Sequence, residues 1–465
     1  MTRPILLRLL VVAAALASGI NDTRAQFRSQ CGDAECPQPV SPHSGPDEAP
    51  IRFLTGILGA IAGSAVVHMF FSDPPPAAST PSPTPGGGGG GTWPSTCNLP
   101  PAGETRYDQA HLILDIPLTV SPRAIDQFAA RHAMTRVEST NLRLTGRTLH
   151  VWRIDNGTSV PDMIRNVCGP DRLVAGAQPN YLYGLTQAQQ QEPINPEQYA
   201  PQKLNLPEAH RLATGNRVRV AVIDSGVDAS HPDLAGAIVA NFDATAGGTA
   251  AHGHGTGMAG AIAARRTVVS SAPRVELLTV QAFSIGSQSP EGTTFSILKG
   301  LDWAVEQGAR IINMSFAGPS DPRLRDALAK AAKKNIVLVA AAGNAGPRSP
   351  PLYPGADPNV IAVTATDMGD ALFERANRGS YITLAAPGVD ILLPGTDGTY
   401  QLSTGTSVAA AQVSGVIALL IERNPSLTAA QVRRILMRTA RALGPKGHGY
   451  GLVNALDAVT ATKPR

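Results

Sequence analysis

Between residues 218 and 342 the chain alternates short, mostly apolar runs with longer runs of helical period, and few folds accommodate that alternation. Residues 218–223, 275–283, 309–314 and 336–342 are too short for stable helices and apolar at both alternating positions, as strands buried on two faces must be. Between them, residues 295–307, closing at Gly308, and residues 323–334 read as helices. Strand followed by helix, repeated, predicts an α/β fold with a parallel sheet covered by helices on both faces. Such sheets keep their sites at the carboxyl ends of strands. The first strand ends in Asp224-Ser225-Gly226. An aspartate in that place is also a common turn residue.

Two later stretches give it company. His252-Gly253-His254-Gly255-Thr256-Gly257 opens an Ala- and Gly-rich helical run, bringing histidine in at a helix start among residues small enough to let other backbone approach. Gly405-Thr406-Ser407 precedes an apolar run through Leu420 that suits a buried helix. A serine there lies near unpaired backbone N–H groups, which favour the oxyanion formed when an acyl carbon is attacked. Taken singly, Gly-Thr-Ser before a helix is usually a cap, and a lone histidine is usually structural. Taken together they supply a nucleophile, a base and a carboxylate to orient the base.

With Asp, His and Ser in that order, the chain resembles a subtilisin-type serine peptidase from about residue 199 to its end. The resemblance rests on Asp224-Ser225-Gly226-Val227-Asp228 with His231-Pro232-Asp233-Leu234, on His254-Gly255-Thr256, on Ala341-Ala342-Gly343-Asn344 and on Gly405-Thr406-Ser407. It implies a subtilisin-like fold, a triad of Asp224, His254 and Ser407, and Asn344 as the side-chain oxyanion donor. His252, two residues early, is read as a surface or loop residue. The resemblance further implies that Ser315, Phe316, Ala317 and Gly318 pair with an extended substrate and that Leu352 lines the base of the primary pocket. Ala317 stands where the family usually has glycine, and Leu352 replaces a smaller residue. The expected preference is therefore for small or medium apolar residues before the scissile bond.

Two positions depart from the pattern. Ala411 replaces the family's proline four residues after the nucleophile, restoring a backbone donor to the helix. The run after His254 lacks the Asn-bearing loop of a strong calcium site, and Asp233 alone cannot supply six to eight oxygens. No cofactor is required by this reading; calcium at another site is left open, without support in the sequence.

Residues 1–25 carry Arg3 and Arg8, then an apolar core at 9–17, with Ala15-Leu16-Ala17 or Thr23-Arg24-Ala25 as cleavage sites, the pattern of a secretory signal. Export is expected: periplasmic, cell-surface or secreted. Within residues 26–73, residues 53–71 hold His68 as their sole ionisable group, about the length that spans a bilayer. They fit a membrane helix and a buried or interfacial one equally, which leaves membrane association open. Residues 74–104 are a Pro/Gly-rich linker. Cys31, Cys36, Cys97 and Cys168 allow three disulfide connectivities; Cys31 with Cys36 and Cys97 with Cys168 is the expected pairing.

Residues 105–185 read as a small α+β unit: strands at 111–116 and 148–154, helices at 122–132 (capped by Ser121) and 160–168, and a closing segment at 173–185. By resemblance this is the inhibitory propeptide of a zymogen. Residues 186–200, Gln-rich with two prolines, read as an exposed activation linker. Self-cleavage there would release the peptidase domain, residues 201–465.

The expected partners are protein or peptide substrates and the chain's own propeptide. A net charge of +4 over 465 residues indicates no polybasic surface, so nucleic acid is not expected. An α/β-hydrolase is disfavoured, since that class wants Gly-x-Ser-x-Gly and the order Ser, acid, His. A non-catalytic binding protein on the same fold loses support because every catalytic residue type is in place.

Overall fold

The computed structural model describes residues 96–168, 173–186, 188–189, 198–245, 247–248, 250–284, 290–443 and 451–464. The signal, the apolar run at 53–71, most of the linker and the Cys31–Cys36 pairing lie outside the described residues.

The first domain runs β1 (Tyr107–Asp115), α1 (Pro122–His132), β2 (Met134–Leu142), β3 (Arg147–Ile154), α2 (Val160–Val167) and β4 (Gly176–Leu185). Ser121 Oγ accepts the Ala124 N–H at the start of α1, with Pro122 at the first helical position, where a missing N–H costs nothing. Strand order is β2-β3-β1-β4, all antiparallel. β2 is absent from the sequence reading because most of its residues are exposed or half-buried, leaving little apolar signal. Cys97 and Cys168 are disulfide-bonded, which ties the segment before β1 to the end of α2.

After β5 (Ala188–Gln189) come α3 (Tyr199–Lys203), α4 (Leu206–Ala209), β6 (Arg219–Asp224), β7 (Ile238–Asp243), α5 (Gly253–Ala263), β8 (Glu276–Gln281), β9 (Phe283–Ser284) and β10 (Glu291–Thr293). The chain continues through α6 (Thr294–Glu306), β11 (Ile311–Met314), β12 (Phe316–Ala317), α7 (Pro322–Lys333), β13 (Val337–Ala341), β14 (Val360–Thr366) and β15 (Ile382–Pro387). It closes with β16 (Ile391–Pro394), β17 (Tyr400–Thr404), α8 (Thr406–Arg423), α9 (Ala429–Thr439) and α10 (Ala455–Ala461).

The expected parallel sheet has the order β15-β14-β13-β11-β6-β8-β7. Alternation along its strands splits the core into two layers. Val220 and Val222 of β6 join Met258 of α5 and Val413 and Ile417 of α8 on one face. Ala221 and Ile223 join Leu298 and Leu301 of α6 and Leu324 and Leu328 of α7 on the other. α8 is the one helix among the described residues long and apolar enough to cross a membrane, but 89% of it is buried between sheet and helices.

The second layer continues without a break into the first domain, whose sheet lies on α6 and α7. Polar contacts fasten it there. Lys299 donates to Glu138 at 2.5 Å, and Asp302 accepts the Arg143 and Leu144 N–H groups at 3.1 and 2.6 Å. Asp115 is buried between Arg147 of its own domain and Arg323 at the start of α7. β4 spans both domains. Its first half pairs with β1, and Leu182–Leu185 runs on between β10 and β12 of the large domain.

Candidate active site

Asp224 is the last residue of β6, and its carboxylate is fully buried. Its Oδ1 accepts from the Ser225 N–H at 2.7 Å and lies 2.6 Å from His254 Nδ1. His254 enters on the first turn of α5, 3% exposed. With Nδ1 committed to the carboxylate, Nε2 is the nitrogen left to exchange a proton. Nε2 has no hydrogen-bond partner among the described residues.

His252 lies outside this pair, at the end of the loop before α5, and it has a structural part there. It is the N-cap of α5; its Nδ1 accepts the His254 N–H at 3.2 Å and lies 3.1 Å from Ser225 Oγ. Burial first, and the neighbouring His254 second, push its pKa below the ordinary value, which preserves the lone pair that caps the helix.

Ser407 stands on the first turn of α8, fully buried. Asn344 follows β13, and its amide has a defined orientation. Oδ1 accepts from Thr406 N at 3.1 Å and Thr406 Oγ1 at 2.8 Å, so Nδ2 faces away from α8. Nδ2 donates at 2.8 Å to the carbonyl oxygen of Thr186, and Ser407 Oγ donates to that same oxygen at 2.5 Å. The serine hydroxyl is thus engaged with a peptide carbonyl and makes no hydrogen bond to His254 Nε2.

The sequence reading places Thr186 at the start of an exposed linker. The structure corrects this: Thr186 is 6% exposed, in the cleft between Ser315 and Ser407. Pairing with the large domain outweighs the polar composition of the segment. The Ser315 carbonyl accepts both the Thr186 N–H at 3.3 Å and Thr186 Oγ1 at 3.0 Å. Upstream, Leu185 pairs with Phe316, Gly184 with Ala317, and Leu182 to Gly184 with β10. Downstream, Ala188 and Gln189 pair with Thr404 and Ser403 of β17. The chain is held as an extended strand on both sides of residue 187.

Of the expected substrate-binding residues, Ser315, Phe316 and Ala317 meet this strand through their backbones. The Ser315 side chain turns inward, accepting from Asn313 Nδ2 at 2.9 Å and donating to the Ser407 carbonyl at 3.1 Å. Gly318 lies under the Tyr183 ring, where a Cβ would come within 2.3 Å of Cδ1. Leu352 is buried, with Cδ1 3.0 Å from where a Cβ on Gly343 would sit, next to Asn344. The sequence reading missed Tyr183, whose ring packs edge-on against Phe316 at 5.8 Å, and Asp321 beneath it.

α8 runs unbroken through Ala411, whose N–H a regular helix aims at the Ser407 carbonyl. Asp233 spends both carboxylate oxygens on backbone, accepting Thr267 N–H at 2.7 Å and Val268 N–H at 3.0 Å. Among the described residues no group of three or more His, Cys, Asp or Glu side chains is placed to hold a metal ion.

The profile of the subtilase family matches residues 215–454. Thermitase of Thermoactinomyces vulgaris is 36% identical over 272 residues, which cover 56% of this chain and 95% of thermitase. Subtilisin E of Bacillus subtilis (strain 168) is 38% identical over 274 residues, 56% of this chain and 70% of that protein. The crystal structure of fervidolysin from Fervidobacterium pennivorans, described as a keratinolytic enzyme related to subtilisin, superposes with a TM-score of 0.68 at 24% identity. It covers 78% of this chain and 63% of that one, and at that identity it speaks to the fold alone.

Proposed function

The chain belongs to the subtilase family and is a serine endopeptidase, and on that premise we propose that Asp224, His254 and Ser407 carry the reaction and that its first substrate is its own Thr186–Gln187 bond. One observation carries this reading: the Thr186 carbonyl oxygen accepts hydrogen bonds from both Ser407 Oγ and Asn344 Nδ2. The Gln187 side of the bond leads directly into β5, paired on β17.

Rotation of the Ser407 side chain carries Oγ from the carbonyl oxygen toward the carbonyl carbon, and Oγ bonds to that carbon as His254 Nε2 takes its proton. Asp224 holds the imidazole by Nδ1 and balances the positive charge it acquires. Asn344 Nδ2 and the Ser407 N–H receive the oxyanion; losing a side-chain donor of this kind costs about 10²–10³ in kcat. The intermediate collapses as His254 returns the proton to the Gln187 nitrogen, the C–N bond breaks, and Thr186 is left as an ester on Ser407. Water, deprotonated by His254, then attacks the ester carbon; the C–Oγ bond breaks as His254 returns that proton to Ser407 Oγ, releasing the Thr186 carboxylate.

The first domain is, on this reading, the propeptide, whose last strand stays in the cleft as a product until the domain departs. Thr186 at the scissile position fits a preference for small or medium side chains there. It modifies the apolar expectation, since its hydroxyl is satisfied by the Ser315 carbonyl. Export is supported by the Cys97–Cys168 disulfide, which suits an oxidising compartment.

Intact mass and N-terminal sequencing of the purified wild type beside Ser407→Ala test the proposal. The expected result is a wild-type chain beginning at Gln187 and an uncut variant. Cleavage of both at that bond, or a whole wild type that ignores a fluorophosphonate probe, would overturn it.

A further inference from the structure

With Tyr183 to Thr186 read as bound substrate, Asp321 is a charge that the reaction itself does not use. It is fully buried and caps α7, its Oδ1 accepting Arg323 N–H at 2.8 Å and Leu324 N–H at 3.2 Å. Capping alone does not call for a carboxylate, because serine or asparagine does it equally well. The second oxygen, Oδ2, accepts from Thr294 Oγ1 at 2.6 Å and from Tyr183 Oη at 3.4 Å.

Tyr183 stands four residues before the bond to be cut and is 1% exposed. Its ring lies on Gly318 and against Phe316, which in turn packs on Phe283 at 5.1 Å. Those aromatic walls accept any flat apolar side chain. The phenol hydroxyl at the far end is another matter, since a buried hydroxyl without an acceptor is costly. Its acceptors are Asp321 Oδ2 and, at 3.5 Å, the Pro319 carbonyl. Burial first and the Asp321 charge second drive the Tyr183 pKa well above its ordinary value, so the group stays a phenol and donates. Gln178 also donates to Asp321, at 3.0 Å, but it belongs to β4 and departs with the first domain. Gln178 meets the capping oxygen Oδ1, so in a short peptide arriving later only the residue in the Tyr183 place reaches Oδ2, which it shares with Thr294 Oγ1.

We propose that Asp321 is a specificity-determining residue that makes this peptidase select tyrosine four residues before the scissile bond. The proposal rests on the self-processing reading, because the Tyr183–Thr186 register defines which residue enters the pocket.

The test uses mature enzyme and internally quenched peptides copying residues 181–190, one unchanged and one carrying Tyr183→Phe. Wild type should cut the tyrosine peptide with a kcat/KM about tenfold above the phenylalanine peptide, the worth of one hydrogen bond to a charged group. Asp321→Ser, which still caps α7 but is too short to reach the hydroxyl, should lower the ratio several-fold, leaving only what the uncharged Pro319 carbonyl gives. A ratio of two substrates on one enzyme cancels any general damage from the substitution. Equal cleavage of both peptides by wild type, or an unchanged ratio in Asp321→Ser, would refute the role of Asp321. Mass spectrometry of the products separates this from failure of the underlying reading: cleavage elsewhere than the Thr–Gln bond removes the register, and the proposal falls with it.

Discussion

Asn344 and Thr406 hold each other through three groups: both Thr406 donors, the backbone N–H and Oγ1, point at Asn344 Oδ1. Thr406, the residue before the proposed nucleophile, therefore fixes which end of the amide meets the Thr186 carbonyl, and its Oγ1 also accepts the Gly343 N–H at 3.1 Å. Asn344 and the start of α8 are thus tied together, so on the proposed mechanism the oxyanion pocket is ordered before charge develops in it.

Gly405 closes that unit from the other side. A Cβ there would lie 2.4 Å from the Thr186 carbonyl oxygen, 2.9 Å from Asn344 Nδ2 and 3.1 Å from Ser407 Oγ. Backbone oxygen cannot yield as a flexible side chain can. Gly405→Ala should therefore fold but fail to seat the scissile carbonyl, since a misplacement of about 1 Å costs on the order of 10²-fold in rate. Gel analysis of processing over time checks this; a variant that matures at the wild-type rate would show that the carbonyl does not need this approach.

Arg323 is a buried positive charge in the interface between the domains, 8% exposed. Its guanidinium meets Asp115 at 3.4 Å, while Nε and Nη2 have no hydrogen-bond partner among the described residues. Burial pulls its pKa down, and Asp115 is the first group to oppose that. Asp115→Asn should leave the buried charge without its ion-pair partner and with Asp321 alone to balance it, a penalty of up to about 3–5 kcal/mol that vanishes once Arg323 meets water. The first domain should then leave sooner, shortening the lag between cleavage and the appearance of peptidase activity. Adding Arg323→Gln should restore part of that lag. If the single and double variants share the wild-type lag, the pair does not hold the domains together.

The site was far more legible than its occupant. Asp224, His254, Asn344 and Ser407 each sit in a short local motif, and the strand and helix runs that carry them show clear periodicity. The strands at 218–223 and 309–314 differ from β6 and β11 by only a residue or two at their ends. Thr186 is different: its neighbours are Gln-rich and polar, and its burial comes from Ser315 and Ser407, 129 and 221 residues away along the chain. Asp321 looks in sequence like an ordinary helix cap, because its second partner arrives from a separate domain. β1 begins earlier than expected, at Tyr107, since residues 108–111 are partly exposed and carry little hydrophobic pattern.

His150 should make the stability of the first domain depend on pH. It pairs across the sheet with Leu114 and Ser139, and alternation places it on the face opposite Glu138 and Asp115, which engage the large domain. It is 6% exposed, and Nδ1 lies 2.6 Å from Ser139 Oγ. Burial first and Arg136 second hold its pKa below 6.5, with Asp115 acting weakly the other way. The folded state therefore binds fewer protons than the unfolded one as pH falls through about 6.5, and stability falls with pH until the lowered pKa is passed, below which the loss is complete. In full-length Ser407→Ala, which on the proposed mechanism stays uncut, the first-domain unfolding midpoint should drop between pH 7 and pH 5. Adding His150→Asn, which keeps an acceptor for Ser139 but cannot charge, should flatten that drop. Thermal unfolding followed by the fluorescence of Trp152, buried in that domain, reads it directly. An equal drop in both proteins would assign the pH dependence to other groups.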